Sequence, residues 1–242
     1  MKKALSDNEI LNILKNVEFI PSNQINFSTN NLVRYTSGFI NETVGFQDFI
    51  VKINTRDEFF FLGNQIISSH FARLNDDDAS KVVQVLDYDP RQRTPYEVLA
   101  MRRSEGSLLE RDLPTMSKAE IESVFRQSIR LMNRFHAIQF DSFGEFKTPT
   151  VEGPSPTFGT ASEFLARCFN EDTNFILRER LADSDDIEKL RRYFKEHVPV
   201  FDACEERPCF VHRDVHFGNI LHRGNELTAI IDFDMACSGQ AS

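Results

Sequence analysis

The apolar period of this chain changes part-way along, and that change restricts the fold more than any other feature. Phe49, Val51 and Ile53 alternate with Ile50 and Lys52, the two-residue period of a strand. Residues 81–88 and 96–103 read as two more strands, joined at the turn residues Asp89, Pro90 and Arg91. Two helices flank this region. One opens at a Ser6/Glu9 capping box and carries Ile10, Leu11, Ile13, Leu14 and Val17; the other covers 59–74. Beyond Glu105-Gly106 the period becomes helical. Ser117 and Glu120 form a capping box that opens a helix to about Ile138, with Ile121, Val124, Phe125, Ile129, Met132 and Phe135 as its stripe. Further helices are predicted over 161–181 and 185–197, and short strands return at 209–212 and 227–233. Strands gathered in the first part and helices in the second predict an α+β fold, not alternating βαβ units.

The 242 residues suffice for one large domain or two coupled lobes. The expected division is a β-rich part at 1–101, a connection at 102–106 and a helical part at 107–242. Phe supplies most of the aromatic content, 23 residues with no Trp, which suits a buried core. The net charge of −9 argues against a nucleic-acid partner, because phosphate contacts need an excess of Lys and Arg. No run approaches the ~20 apolar residues of a membrane span. Cys168, Cys204, Cys209 and Cys237 contain no C-x-x-C pair, and Asp7, Glu9 and Asn12 interrupt any leader behind Lys2 and Lys3. Four reduced thiols and no leader are the expectation for a cytoplasmic protein.

The chemistry concentrates in Phe210-Val-His-Arg-Asp-Val-His-Phe-Gly-Asn-Ile-Leu221 and Ala229-Ile-Ile-Asp-Phe-Asp234. Asn219 follows Asp214 by five residues, and Asp232 follows Asn219 by thirteen. His212-Arg213-Asp214-x-x-x-x-Asn219 has the spacing of a phosphoryl-transfer catalytic loop. One carboxylate orients a hydroxyl proton, and an amide oxygen a turn later can ligate a metal. A second carboxylate at the end of the apolar run Ala229-Ile230-Ile231 completes the oxygen set. Such a carboxylate is costly there without a cation or donors, and Mg²⁺ prefers oxygen ligands.

On these residues the chain resembles the aminoglycoside phosphotransferase and choline kinase group, small-molecule kinases with a two-lobed, protein-kinase-like fold. The resemblance runs from about Leu32 to Gly239. It implies ATP and Mg²⁺ as cofactors and a small-molecule hydroxyl acceptor such as an aminoglycoside, amino alcohol or sugar. It casts Asp214 as catalytic base, Asn219 and Asp232 as Mg²⁺ ligands, and His212 as an orienter of the loop. Lys52 resembles the lysine that meets the ATP phosphates. Gly38, in Ser37-Gly38-Phe39-Ile40-Asn41-Glu42, lies where a phosphate-covering loop belongs. Met101, Arg102 and Ser104 resemble the adenine-contacting hinge. The family's helix Glu partner for the lysine is missing: Asn64 or Gln65 stands there, and Glu58 falls too early. Arg213 is the protein-kinase residue, yet only eight residues follow Asp234, too few for an activation segment. The family continues with helices that help to wall the acceptor, so the resemblance implies an incomplete acceptor pocket within these 242 residues.

Two other readings compete. His212, Asp214, His216 and His222 could form the zinc cluster of a metallohydrolase. Alternatively, the single Gly38 and the short tail suit a catalytically impaired nucleotide-binding protein of kinase ancestry.

Overall fold

The computed structural model describes residues 5–18, 32–35, 41–74, 77–148, 153–203 and 207–241. Alternation along the first strands sorts their side chains onto two faces. Strands β1 (Leu32–Tyr35), β2 (Glu42–Phe46), β3 (Phe49–Asn54), β4 (Val85–Pro90) and β5 (Glu97–Arg102) form an antiparallel sheet of order β1-β2-β3-β5-β4. Val44, Phe46, Val51, Ile53, Val98 and Ala100 pack together with Ile10, Leu11, Ile13 and Leu14 of helix α1 (Asp7–Leu14). Leu99, Met101 and Ile50 join the other core, with Ile67 and Phe71 of helix α2 (Leu62–Ala72). Lys52 lies between Val51 and Ile53 and so takes the α2 side of β3.

After β5 the chain passes through 103–106 into β6 (Ser107–Leu108) and the short helix α3 (Leu109–Asp112), then the long helix α4 (Lys118–His136). Ser117 accepts from Glu120 N, and the Glu120 carboxylate returns the bond, so the expected capping box starts α4. Strand β7 (Gly144–Glu145) leads to helices α5 (Ala161–Arg178), α6 (Ser184–His197) and α7 (Pro199–Asp202). The last strands are β8 (Cys209–Val211), β9 (Ile220–Arg223), β10 (Glu226–Ile230) and β11 (Cys237–Gly239). They make two small sheets, β10-β9-β6 and β7-β11-β8. The fold is therefore α+β, as the change of period predicts.

The two halves share one core. Phe135 of α4 meets Phe71, Phe210 and Phe233 edge-on, with ring centroids 5.6, 6.2 and 5.4 Å apart. Edge-to-face rings at such distances gain about 0.5–1.5 kcal/mol beyond their burial. The Phe-rich composition is concentrated here, and it binds α2, α4, β8 and the segment after β10 into one unit.

Boundaries shift for local reasons. Helix α2 begins at Leu62 because the Phe60 and Phe61 amides donate to the buried Glu97 carboxylate at 2.9 and 2.8 Å. Strand β4 begins at Val85 because 77–81 forms a 3₁₀ turn, with Lys81 paired to Asp78. Pro90 ends β4 instead of making the turn, a place open to it because β4 is an edge strand. The turn behind it is organised by Asp89, whose carboxylate accepts from the Gln92, Arg93 and Thr94 amides.

Candidate active site

Residue Asp232 lies just after β10, in the left-handed conformation with φ 68° and ψ 63°. Asp is among the few L residues that reach this region with little strain. The 3₁₀ turn Phe233–Met235 follows, so Asp232 and Asp234 both leave the buried strand at its end. Lys52 reaches them from β3. Its Nζ donates to Asp232 Oδ1 at 2.6 Å and to Asp234 Oδ1 at 2.9 Å. Asp234 also accepts from Asn64 Nδ2 on α2 at 2.9 Å and from Asn41 Nδ2 at 2.8 Å.

These contacts set the charges. Burial opposes the Lys52 charge, but Asp234 and Asp232 outweigh it and hold the ammonium well above the ordinary lysine range. Burial likewise opposes ionisation of Asp232, and Lys52 outweighs it, so that carboxyl lies below its usual value. Burial prevails at Asp234, which is pushed up to about 6.

The loop before Asp214 is fixed from inside. The buried His212 donates from Nε2 to the Ile231 carbonyl at 3.0 Å and accepts from the Asp214 amide on Nδ1 at 3.3 Å. Burial holds its imidazole below the ordinary histidine value, and its ring lies 4.4 Å from that of Phe233. His212 thus links the Asp214 loop to the strand carrying Asp232. Asn219, also buried, donates from Nδ2 to the Asp214 carbonyl at 2.9 Å and to Asp214 Oδ2 at 3.3 Å. The Ile231 amide donates to the Asn219 carbonyl at 3.0 Å. Arg213, with φ 64°, donates to Glu145 on β7. The Asp214 side chain is about half exposed.

Of the residues singled out in the sequence, the structure brings Lys52, Asp232, Asp214, Asn219 and His212 into one connected site. Gly38 lies outside the described residues. Met101 sits in β5 between Ile50 and Val85, and the Arg102 amide donates to the Gln84 carbonyl, so the sheet already uses backbone groups there. Ser104 lies beyond the strand, in the connection to β6.

Glu97 escapes sequence reasoning, and Asn41, Asn64 and Asp234 are met there by position without their contacts to one another. Glu97 accepts from Asn54, Phe60, Phe61 and Tyr88 and so sets where α2 begins. At Gly63 an added Cβ would lie 2.6 Å from the Phe233 carbonyl oxygen and 2.9 Å from Ala236 Cβ. That close approach seats Asn64 beside Asp234. The doublet Gly63-Asn64 at the head of a predicted helix is the available signal.

The zinc arrangement is not formed. His212, His216 and His222 each face a different partner: Ile231, the Gly218 amide and the Gly224 carbonyl. Among the described residues no three His, Cys, Asp or Glu side chains are placed to share a metal. Oxygen donors suited to Mg²⁺ are present. Asp232 is 40 % exposed, and Asn219 commits its NH₂ to Asp214, so that its amide oxygen is the atom of the group able to meet a cation.

The profile described as "Phosphotransferase enzyme family" matches residues 32–242. The chain belongs to this family. No curated protein matches the chain. Among solved structures, this phosphotransferase is similar to an apo, thermostable mutant of aminoglycoside phosphotransferase APH(4)-Ia, at 20% identity and TM-score 0.64. That match covers 86% of this chain and 68% of the other. It is also similar to APH(2")-IIa in its gentamicin complex, at 17% identity and TM-score 0.64, covering 98% and 73%. A further APH(4)-Ia structure, a ternary complex with AMP-PNP and hygromycin B, matches at 19% identity and TM-score 0.63, covering 86% and 68%. At these identities the similarity establishes the fold: the phosphotransferase has the two-lobed, kinase-like α+β architecture. Among its described residues no helix is long and apolar enough to cross a membrane.

Proposed function

We propose that this chain moves the γ-phosphate of ATP to a hydroxyl group of a small molecule, with an aminoglycoside, amino alcohol or sugar as the acceptor class. The observation that carries this reading is the contact of Lys52 on β3 with Asp232 after β10, beside an Asp214 loop tied to the same strand by His212. Residues 1–101 form the nucleotide lobe, 102–106 the hinge, and 107–242 the lobe with the catalytic loop. Binding of ATP complexes by similar folds supports the nucleotide: AMP-PNP is present in the APH(4)-Ia complex.

Each residue has a task that its surroundings suit. Lys52 carries a permanent positive charge, because its two carboxylate partners hold its proton, and it would neutralise phosphate oxygens. Asp214, half exposed and steadied by Asn219 and by the hydrogen bond its backbone amide donates to His212, would accept the acceptor hydroxyl proton. Asp232 and Asn219 would hold Mg²⁺, which when bound supplies charge neutralisation for the phosphates. Ser104, with Met101 and Arg102, would border the base, and Gly38 would lie over the phosphates. Phosphoryl transfer relies mainly on positioning and charge neutralisation, so this small set suffices.

The test is ADP formation from Mg-ATP against a panel of hydroxylated acceptors, with Asp214→Ala as control. Acceptor-dependent turnover is expected, reduced on the order of 10²–10⁴-fold in the variant. Nucleotide binding without acceptor-dependent turnover would favour the other reading, a catalytically impaired nucleotide-binding protein, which the single Gly38 motivates. No nucleotide binding by folded protein would sink both.

A further inference from the structure

We propose that Asp234 is the residue that positions Lys52, in place of an acid on helix α2, with Asn64 and Asn41 clamping its carboxylate. The proposal rests on reading Lys52 as the phosphate-binding group. Both aspartates accept from the ammonium, but they are held differently. Asp232 is 40 % exposed, whereas Asp234 is 9 % exposed. Both Asp234 oxygens are engaged from within the chain, Oδ1 by Lys52 and Asn64 and Oδ2 by Asn41.

That difference assigns separate tasks. The exposed Asp232 is free to turn to another cation. If it did so with no second acid present, Lys52 would be left as a buried, unpaired charge, which is strongly unfavourable. Asp234 keeps the lysine paired throughout. Asn64 is the matching choice on α2. A carboxylate at 64 would meet the Asp234 carboxylate across a 2.9 Å contact, whereas the amide donates to it. Gly63 makes the contact possible, since a Cβ there would collide with the Phe233 carbonyl. The acid has in effect moved from the helix to the turn after β10. One consequence is mechanical. Donors from β3, from α2 and from the residue before β2 all close on a single carboxylate, so Asp234 also ties the sheet to the segment after β10.

The experiment measures acylation of Lys52 in the nucleotide-free protein by mass spectrometry, scaled to the exposed Lys118. Asp234→Asn keeps the shape and removes the charge. It should raise the Lys52 rate about tenfold or more, the equivalent of losing a hydrogen bond to a charged group. Asp232→Asn should raise it clearly less. Adding Asn64→Glu to Asp234→Asn restores an acid from the helix side and should return both the low reactivity and part of the lost turnover. An unchanged rate in Asp234→Asn, or an equal or larger rise in Asp232→Asn, overturns the proposal. If Asp234→Asn alone does not fold, the double variant decides: folded with a protected Lys52 supports it, and unfolded counts against it. Absence of any nucleotide binding by the folded wild-type protein would defeat the nucleotide reading while leaving the labelling result to judge the anchor.

Discussion

Around Phe135, rings from α2, β8 and the turn after Asp232 meet edge-on, and Phe71, Phe135, Phe210 and Phe233 are all essentially inaccessible. The α5–α7 arm is built otherwise. Helix α6 buries only Ile187, while Phe175, Leu190, Tyr193 and Val200 stay between 48% and 62% exposed. The arm is held by smaller devices: Ala161 and Phe164 packed on Phe143 and Cys237, a capping box from Thr160 to Glu163, a Phe169–Phe194 stack at 4.3 Å, and the Ser162–Asp202 hydrogen bonds. Stability and the site's geometry thus come from the same aromatic core, whereas α6 and α7, beyond the buried start of α5, add surface with little cooperative gain.

Substitutions can set the two regions against each other. The largest effect is expected from Phe135→Ala, which removes the ring shared by three others; about 3–5 kcal/mol should be lost in denaturant unfolding. A loss near that of an arm residue would show that the aromatic core is not the common support. Gly63→Ala comes next. Helix propensity favours Ala by about 1 kcal/mol, but overpacking against the Phe233 carbonyl costs about 1–3 kcal/mol. A net loss on the order of 1 kcal/mol is expected, together with weaker nucleotide binding as Asn64 is lifted from Asp234. A stabilised variant would mean that α2 can withdraw without disturbing the site.

A smaller effect follows from His212. Burial lowers its folded pKa below the unfolded value, so the unfolded chain binds the proton more readily. Stability from this group is complete above about pH 6.5 and is lost as pH falls from there towards the folded pKa. Urea midpoints for wild type and His212→Gln across this range should converge as pH drops; parallel curves would show that the imidazole does not resist protonation. Smallest of all, Phe175→Ser should change stability within about 0.5 kcal/mol, as at an ordinary surface position.

What the sequence reveals is what is encoded locally. The Ser6–Glu9 and Ser117–Glu120 boxes form because each needs only four consecutive residues, and the Asp214–Asn219 bond lies within one turn of chain. The alternation at Phe49–Ile53 correctly separates Lys52 from the α1 face. Thr160–Glu163 has the same grammar and was equally readable. Strands β9 and β11 are not apparent, because Ile220–Arg223 and Cys237–Gly239 are short and become strands through distant partners. Asp234 is the clearest case. It closes a stretch that the sequence marks for chemistry, yet nothing there shows its task, since its partners Asn41, Lys52 and Asn64 stand 170–193 positions earlier.

The left-handed backbone of Asp232 has a consequence for how such a chain loses activity in nature. Asparagine tolerates that conformation nearly as well as aspartate, while alanine must bear about 1–2 kcal/mol of steric cost. Aspartate and asparagine codons differ by a single base. An Asp232→Asn point mutation would therefore remove the carboxylate charge that Lys52 meets at this position and leave the polypeptide folded and abundant. Other replacements at this position would more often be cleared as unstable chains.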